Sequence, residues 1–255
     1  AARDVVSRAI LTEIREGKGI SGKDYVHLDL THLGEEKILE RLWEITSFVR
    51  IYLGIDPVYD PIPVQPTCHY VMGGIPTDGD GRGLMDEKGS IARGLFAEGE
   101  CACLSVHGAN RLGCNSLLDL LVFGRRSGLA MKQAISNVDH KTLPNDLLKA
   151  MEERVKKLFN VKGKEKIGEI RKRMQSLMTE EGSVFRNEEG LKRGIEAIRS
   201  LNERYKNIGI GDQKRAFNFE LMEAMELGHQ LGLAEVILSG ALHRRESRGA
   251  HYRED

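Results

Sequence analysis

The distribution of glycine sets the strongest limit on what this chain can fold into. Twelve of its 28 glycines lie between Gly73 and Gly128, where they alternate with short apolar pieces. Glycine weakens helices and permits tight turns, and it lets the backbone approach a ligand closely. This segment therefore predicts short strands and turns that pass close to a ligand. Within it, only residues 115–124 look helical; we predict a buried helix whose first turn is capped by Asn115 or Ser116.

Helical periodicity dominates on both sides of the glycine-rich segment. Before it, the pattern predicts helices at 5–14 and 35–53 and a short strand at 25–30, and four prolines between residues 57 and 66 favour an extended crossing between domains. After it, apolar stripes predict a bundle of helices with solvated outer faces. These stripes cover residues 147–158, 167–177, 191–205, 217–225 and 233–242. The chain as a whole predicts an α+β fold.

Composition excludes several classes of protein. Lys and Arg number 38, as do Asp and Glu, so the chain lacks the bulk positive charge of many nucleic-acid binders. The apolar fraction of 40% is that of a globular protein. No apolar run approaches the roughly 18 residues of a membrane span, and no secretory signal opens the chain.

The four cysteines predict reduced thiols in a cytosolic compartment, because they occur in a long chain without a secretory signature. Cys101 and Cys103 are spaced too closely for a usual structural zinc pair, so we predict that both are buried core thiols and that no metal is bound. No Gly-x-Gly-x-x-Gly motif follows a strand and opens a helix, which excludes the usual dinucleotide cradle.

His69 and Arg111 are the strongest candidates for chemistry, since both are cationic or polar residues in glycine-rich surroundings. Spacing alone favours a structural hydrogen-bonding role for each. Arg111 is more suggestive, because it lies among small residues just before a predicted helix. A guanidinium can bind a carboxylate through two hydrogen bonds, and the free N–H groups of a helix N-terminus add affinity for anions.

Four motifs, in order, resemble the flavoprotein subunit of succinate dehydrogenase and fumarate reductase. They are Arg-Asp-Val-Val at 3–6, Pro-Thr-Cys-His-Tyr-Val-Met-Gly-Gly-Ile at 66–75, His-Gly-Ala-Asn-Arg-Leu-Gly-Cys-Asn-Ser-Leu at 107–117 and Glu-Ser-Arg-Gly-Ala-His at 246–251. The resemblance implies that residues 1–66 are the end of a capping domain and 67–127 the segment that returns to an FAD-binding domain. Residues 128–255 would be an α-helical bundle domain.

The same resemblance implies roles for individual residues. Arg3 matches the catalytic arginine that exchanges a proton with the substrate, while His69 and Arg111 match residues that hold the substrate carboxylates. Residues matching FAD contacts are Glu100, Asn115, Ser116 and Leu117. The implied reaction transfers a hydride between flavin N5 and a four-carbon dicarboxylate. The implied partners are an iron–sulfur subunit and membrane anchor subunits. Through them the protein would lie at the inner face of the cell membrane and take part in electron transport and the tricarboxylic acid cycle.

The family's N-terminal half, with its dinucleotide fingerprint, has no counterpart in this sequence. We therefore expect an internal and C-terminal fragment that is inactive and retains FAD weakly by itself. Two alternatives stay open: L-aspartate oxidase, a relative with an equivalent Arg and His, and a non-catalytic interaction module built from the helical region. Residues 112–119 and Ala250 favour the dicarboxylate oxidoreductase over the aspartate oxidase. The direction of the reaction and covalent attachment of FAD are left open by the sequence.

Overall fold

The computed structural model describes residues 2–136, 138–139, 142–161 and 163–255, apart from the side chains of Asn145 and Leu147. The chain divides into two units, Ala1–His69 and Tyr70–Asp255. Each unit has its own secondary structure, and each is described by itself below.

The first unit contains two helices and a two-stranded antiparallel sheet. Its elements are α1 (Arg3–Arg15), β1 (Val26–Leu28), α2 (Glu35–Leu53) and β2 (Ile62–Val64). Strand β2 lies in the proline-rich segment, where it pairs with β1 so that Val64 is opposite Val26. Helix α2 has the predicted bounds and ends at Gly54, whose left-handed conformation (φ 68°) stops it.

The buried face of α2 differs from the predicted apolar stripe. Ile38 and Val49 are buried as expected, but Thr46 takes the third buried position while Ile45 and Tyr52 are exposed. The backbone at Leu42 leaves helical geometry (φ −130°), so the regular helical spacing on which the predicted stripe depends is interrupted inside the helix.

The glycine-rich part of the second unit forms short strands and turns, which confirms the prediction. The strands are β3 (Ile75–Pro76), β4 (Arg82–Leu84), β5 (Ile91–Phe96) and β6 (Ala102–Cys103). Strands β4 and β5 form an antiparallel hairpin, and β3 pairs with β6 in parallel. The carboxylate of Asp78 fixes the turn before β4, since it accepts hydrogen bonds from the backbone N–H groups of Asp80 (2.9 Å) and Arg82 (3.0 Å).

Helix α3 (Asn115–Ile135) is longer than predicted, and its orientation corrects two expectations. The helix was expected to bury its leucines, but Leu121 is 73% exposed and the buried residues are Asp119 and Ser127. The polar side faces the strands and turns of the same unit, because Ser127 lies against Gly81 and His107 contacts Asp119. The N-cap is Cys114, with no side-chain cap, so neither Asn115 nor Ser116 is the capping residue.

Three helices build the main hydrophobic core. These are α5 (Ile167–Glu181), α6 (Glu188–Tyr205) and α7 (Phe219–His243), and they follow α4 (Asn145–Asn160) in the chain. The largest fully buried side chains of this core are Ile170, Leu191, Ile198, Ile208, Leu227, Leu231 and Leu238. The stripe predicted for α4 includes Leu147, whose side chain lies outside the described residues; Met151 of that stripe is exposed and Leu158 packs at the edge of the core.

Helix α7 replaces the two helices predicted after residue 216. Phe217 lies outside it and is 92% exposed, and Asn218 caps the helix by accepting a hydrogen bond from the N–H of Leu221 at 2.8 Å. Gly228, near the middle, does not break the helix. Instead it leaves room for the Tyr205 phenol, which donates to the Ala224 carbonyl at 3.0 Å.

Candidate functional site

The predicted site residues are divided between the two units. Arg3 is the first residue of α1 and is exposed, and His69 is exposed in the extended chain after β2; both belong to the first unit. Arg111 and the four residues expected to contact FAD belong to the second unit. The convergence of Arg3, His69 and Arg111 on one ligand stays a prediction.

Arg111 is a buried cation without a carboxylate partner among the described residues. It is only 7% exposed, and its Nη1 donates to the backbone carbonyl of Leu112 at 3.0 Å. The guanidinium carbon lies 4.5 Å from the centroid of the Tyr70 ring, within cation–π range. Nε is buried and has no acceptor in the part of the chain that the structure describes. A buried charged donor costs free energy unless it is paired, so this arrangement suits an anionic ligand.

A second pair of polar side chains, His107 and Asp119, lies near Tyr70, the residue that also contacts Arg111. His107 Nε2 is 3.1 Å from Asp119 Oδ2, and the His107 ring meets the Tyr70 ring edge to face, with centroids 5.5 Å apart. Asp119 is 5% exposed, and its Oδ1 has no donor among the described residues. Burial raises the pKa of the Tyr70 phenol, and the negative charges of Asp119 and Glu100 add to that increase.

Sequence reasoning missed Tyr70, His107 and Asp119 as site residues. Asp119 interrupts the apolar run Leu117–Val122, which suggests a solvent-facing position in a helix thought to be buried. A buried carboxylate in such a helix is recognised only when its partner is known, because Asp is almost never fully buried unless it is paired. One signal was available in the sequence. Asp119 follows Asn115 by four residues, so both lie on one side of the helix that begins shortly after Arg111.

Glu100 connects two segments near Arg111. It lies in a 3-10 turn, Gly99–Cys101, and its Oε1 accepts a hydrogen bond from the N–H of Val71 at 2.9 Å. Gly99 has a left-handed backbone (φ 70°), and a Cβ there would clash with the side chain of Leu120 on α3. Glycine at this position therefore lets the turn pack against α3. The contact of Glu100 with FAD stays a prediction.

The N-terminus of α3 carries the other residues expected to contact FAD. Asn115 and Ser116 are half-buried, and Leu117 is exposed. The N–H of Asn115 donates to the Leu112 carbonyl at 3.3 Å, and the N–H of Leu117 to Cys114 at 3.1 Å. Since Cys114 provides no side-chain cap, the positive end of the helix dipole is not neutralised by a side chain of the cap.

The motif at 246–251 lies beside the motif at 107–117. Gly249 has a left-handed backbone (φ 59°), and a Cβ there would clash with the carbonyl oxygen of Ala109. The turn is closed by reciprocal backbone hydrogen bonds between Arg248 and His251, at 2.8 and 3.2 Å. The lack of a side chain at Gly249 therefore lets the backbones of these two motifs approach each other closely.

The cysteines do not form the buried pair that was predicted. Cys101 is exposed, with its Sγ 3.3 Å from the carbonyl of Glu98, and Cys103 is half-buried. The prediction was wrong because the strand expected to bury both thiols is only Ala102–Cys103, and Cys101 belongs to the preceding turn. Across the described residues, no three His, Cys, Asp or Glu side chains are grouped as metal ligands. None of the described helices is long and apolar enough to cross a lipid bilayer.

Comparison with known proteins matches almost the whole chain. Residues 1–117 match a family model described as an FAD binding domain, and residues 171–255 match one described as the fumarate reductase flavoprotein C-term. A succinate dehydrogenase flavoprotein subunit of Rickettsia bellii is 44% identical over 260 residues, covering 100% of this chain and 44% of the relative. A fumarate reductase flavoprotein subunit of Escherichia coli is 42% identical over 257 residues, covering 99% of this chain and 42% of the relative.

Solved structures agree with the sequence comparison. An Escherichia coli quinol fumarate reductase structure superposes with a TM-score of 0.88 at 42% identity, covering 99% of this chain and 43% of that one. The chain thus spans less than half the length of the relatives that it matches.

Proposed function

Because the chain belongs to the family of succinate dehydrogenase and fumarate reductase flavoprotein subunits, we propose that it is part of an FAD-dependent oxidoreductase that interconverts succinate and fumarate. The observation that carries the proposal is Arg111, a buried guanidinium with an unpaired Nε and no carboxylate partner among the described residues. A dicarboxylate supplies the anion that this donor lacks.

In the proposed site, Arg111 and His69 bind the carboxylates of the substrate. A hydrogen bond to a charged group contributes about 1.5–3 kcal/mol, so two such contacts select a dianion over a neutral ligand. Polarisation of one carboxylate by Arg111 also stabilises the charge that develops when a hydride adds to the double bond of fumarate.

Arg3 is the proposed proton carrier. The proton that is exchanged sits on a saturated carbon next to a carboxylate, which is a very weak acid. A guanidinium is a much weaker acid than an imidazolium. Its acid strength is therefore closer to that of such a carbon, which favours exchange of a proton between the two. Arg3 begins α1 and is exposed in the first unit, where its side chain is available to a substrate.

The second unit has features that fit FAD. The turn at Gly99 and Glu100 packs against α3, the N-terminus of α3 lacks a side-chain cap, and Leu117 presents apolar surface. Amide donors suit the polar edge of a flavin ring, and an exposed leucine suits its apolar face. We propose that Glu100, Asn115, Ser116 and Leu117 hold the cofactor. FAD, when bound, supplies the hydride chemistry, while the residues of this chain bind and orient the substrate and move its proton.

Electron-transfer partners complete the proposal. The matched relatives are named as subunits, so they are components of larger assemblies. We propose an iron–sulfur subunit as the electron partner and membrane anchor subunits that place the assembly at the inner face of the cell membrane, in electron transport linked to the tricarboxylic acid cycle.

The substitution Arg3→Lys tests the proposed reaction. In a full-length flavoprotein subunit carrying this sequence, we expect turnover of succinate to fall at least about a hundredfold, the lower range for loss of a general acid or base. Flavin content and dicarboxylate binding should stay near wild type, because lysine keeps the positive charge. Arg15→Lys, at the other end of α1, is the matched control and should leave turnover unchanged.

Near-full succinate oxidation by the Arg3→Lys variant would dismiss Arg3 as the proton carrier. Absence of flavin absorbance in the wild-type subunit would overturn the proposed function itself. Oxidation of L-aspartate in place of succinate would assign the aspartate oxidase instead.

A further inference from the structure

Three residues next to Arg111 have no part in the proposed reaction, although they are packed against one another. Tyr70, His107 and Asp119 form a continuous series of contacts that we call the Tyr70 array. Asp119 contacts His107 at 3.1 Å, His107 contacts Tyr70 at 5.5 Å between ring centroids, and Tyr70 lies 4.5 Å from the Arg111 guanidinium carbon. The array therefore connects the buried side of α3 with Arg111.

The array restricts the guanidinium in two directions. The guanidinium carbon of Arg111 lies over the Tyr70 ring, 4.5 Å from its centroid, so the ring limits movement of the guanidinium toward that side. The hydrogen bond from Nη1 to the Leu112 carbonyl, at 3.0 Å, holds one end of the guanidinium in place. Nε is a buried nitrogen of the guanidinium that has no partner among the described residues.

The array is itself held by α3. Asp119 is nearly inaccessible to solvent and lies in the second turn of the helix, so its backbone position is fixed by helical hydrogen bonds. Its Oδ2 fixes the orientation of the His107 ring through Nε2, and the edge-to-face contact fixes the Tyr70 ring in turn. Burial and the nearby carboxylates raise the pKa of Tyr70, so the phenol remains neutral near physiological pH and carries no negative charge into the site.

We propose that Tyr70, His107 and Asp119 are positioning residues, which hold Arg111 with its Nε side directed toward the substrate carboxylate. The proposal rests on the proposed function, since it assigns Arg111 to a dicarboxylate. It goes beyond that function because none of the three residues is required to touch substrate. Their contribution is to restrict the Arg111 side chain before the ligand binds, so that less conformational entropy is lost on binding.

Substitution of Tyr70 tests the proposal in a full-length, FAD-loaded subunit carrying this sequence. The probe is malonate, a three-carbon dicarboxylate that has no adjacent carbon pair to dehydrogenate, so binding is measured by calorimetry without turnover. Loss of the ring in Tyr70→Leu should weaken malonate binding about tenfold, in the range of a partly buried cation–π contact. Tyr70→Phe keeps the ring and should bind within about twofold of wild type. For succinate, Tyr70→Leu should raise KM more than it lowers kcat.

Tyr59→Leu is the matched control, because Tyr59 is exposed and lies in the first unit. It should change neither malonate binding nor KM. Flavin content, measured from absorbance, should be equal in all of these variants. A general loss of structure in Tyr70→Leu would instead reduce its flavin content. Keeping the aromatic ring in Tyr70→Phe would then not be enough to preserve malonate binding.

Asp119 provides a second test if Tyr70→Leu fails to fold. Asp119→Ala should weaken malonate binding, because His107 loses its hydrogen-bond acceptor. Asp119→Asn keeps an acceptor of the same shape and should restore binding to the wild-type level or tighter, since a negative charge near the bound anion is removed. If Asp119 acted only through its charge, both substitutions would tighten binding, and the positioning role would be refuted.

The outcomes separate the two proposals. If the wild-type subunit binds no malonate, the proposed function fails. If the wild type binds malonate and Tyr70→Leu binds it equally well, the function stands and the positioning role is overturned.

Discussion

Two buried arginines of the second unit have opposite surroundings. Arg253, 8% exposed, donates from Nη1 to the Ala241 carbonyl at 3.1 Å and forms two hydrogen bonds with the Asp255 carboxylate at 2.7 and 2.9 Å. Arg111 has one carbonyl acceptor and no carboxylate among the described residues. A guanidinium whose donors are satisfied stabilises the fold, whereas one left unpaired is ready for a ligand. This contrast indicates a structural role for Arg253 and supports the binding role that we propose for Arg111.

His251 is a residue whose protonation state is fixed by its neighbours. Its Nδ1 lies 2.8 Å from Arg186 Nη1, and its Nε2 lies 2.9 Å from the Arg244 carbonyl. Because arginine only donates and a carbonyl only accepts, the ring must be neutral with its proton on Nε2. Burial lowers the pKa of His251 below its usual 6.5, against the hydrogen bond to the Arg244 carbonyl, and the positive charges of Arg186, Arg244 and Arg253 lower it further.

The resulting pH dependence is a prediction at the residue scale. The unfolded chain binds a proton on His251 at a higher pH than the folded chain does, so the contribution of His251 to stability is complete above pH 6.5 and decreases as the pH falls through the folded pKa. His251→Gln keeps one acceptor and one donor without titrating, and should remove this component. Urea unfolding at pH 7.5 and at successively lower pH measures it, with His243→Gln as the control on an exposed histidine. Parallel pH profiles for wild type and His251→Gln would contradict the prediction.

At the scale of elements, close backbone contacts connect segments that are distant in the sequence. The turn at Arg248–His251 meets the segment that precedes Arg111 because Gly249 has no side chain, and Glu100 connects its turn to Val71. Arg186 extends this network, since its backbone bonds to Tyr252 (3.2 Å) and Glu254 (2.8 Å). The C-terminal segment is therefore part of the support of the candidate site.

Gly249→Ala is the prediction that belongs to this scale. The substitution adds both the strain of a left-handed alanine and a clash with the Ala109 carbonyl, so we expect a loss of about 2 kcal/mol or more in the free energy of unfolding. Gly89→Ala is the matched control. Gly89 also has a positive φ (82°) but faces open space, so only the strain, about 1 kcal/mol, applies. Denaturant unfolding compares the two, and equal losses would show that the contact with Ala109 is not needed.

At the scale of the molecule, the main core belongs to α5, α6 and α7 in the second unit. The buried side of α7 is a continuous series of Ala224, Leu227, Leu231, Ala234, Leu238 and Ala241, spaced alternately by three and four residues. This spacing keeps one face of a long helix against its neighbours, which explains why α7 continues where two helices were predicted.

Leu227→Ala tests the importance of this core for the second unit. Leu227 is fully buried, so truncation should cost about 2–5 kcal/mol in the free energy of unfolding by denaturant. Leu233→Ala is the matched control on the same helix. Leu233 is 62% exposed, and its substitution should cost less than about 0.5 kcal/mol. Similar losses for both variants would place the stabilising contacts elsewhere.

The sequence by itself determined most of the helices and short strands, although it did not predict the full length of α3 or the continuity of α7. The bounds of α2, the strands and turns of the glycine-rich segment and the buried stripes of α5 and α6 follow from spacing, glycine and proline, because these act over a few residues. The motifs also identified Arg111 as a candidate. Only the tertiary structure decided that α3 turns Asp119 inward and its leucines outward, that Tyr70 covers Arg111, and that Arg253 is paired while Arg111 is not. Those outcomes depend on burial and hydrogen bonding between residues far apart in the chain, which local spacing does not specify.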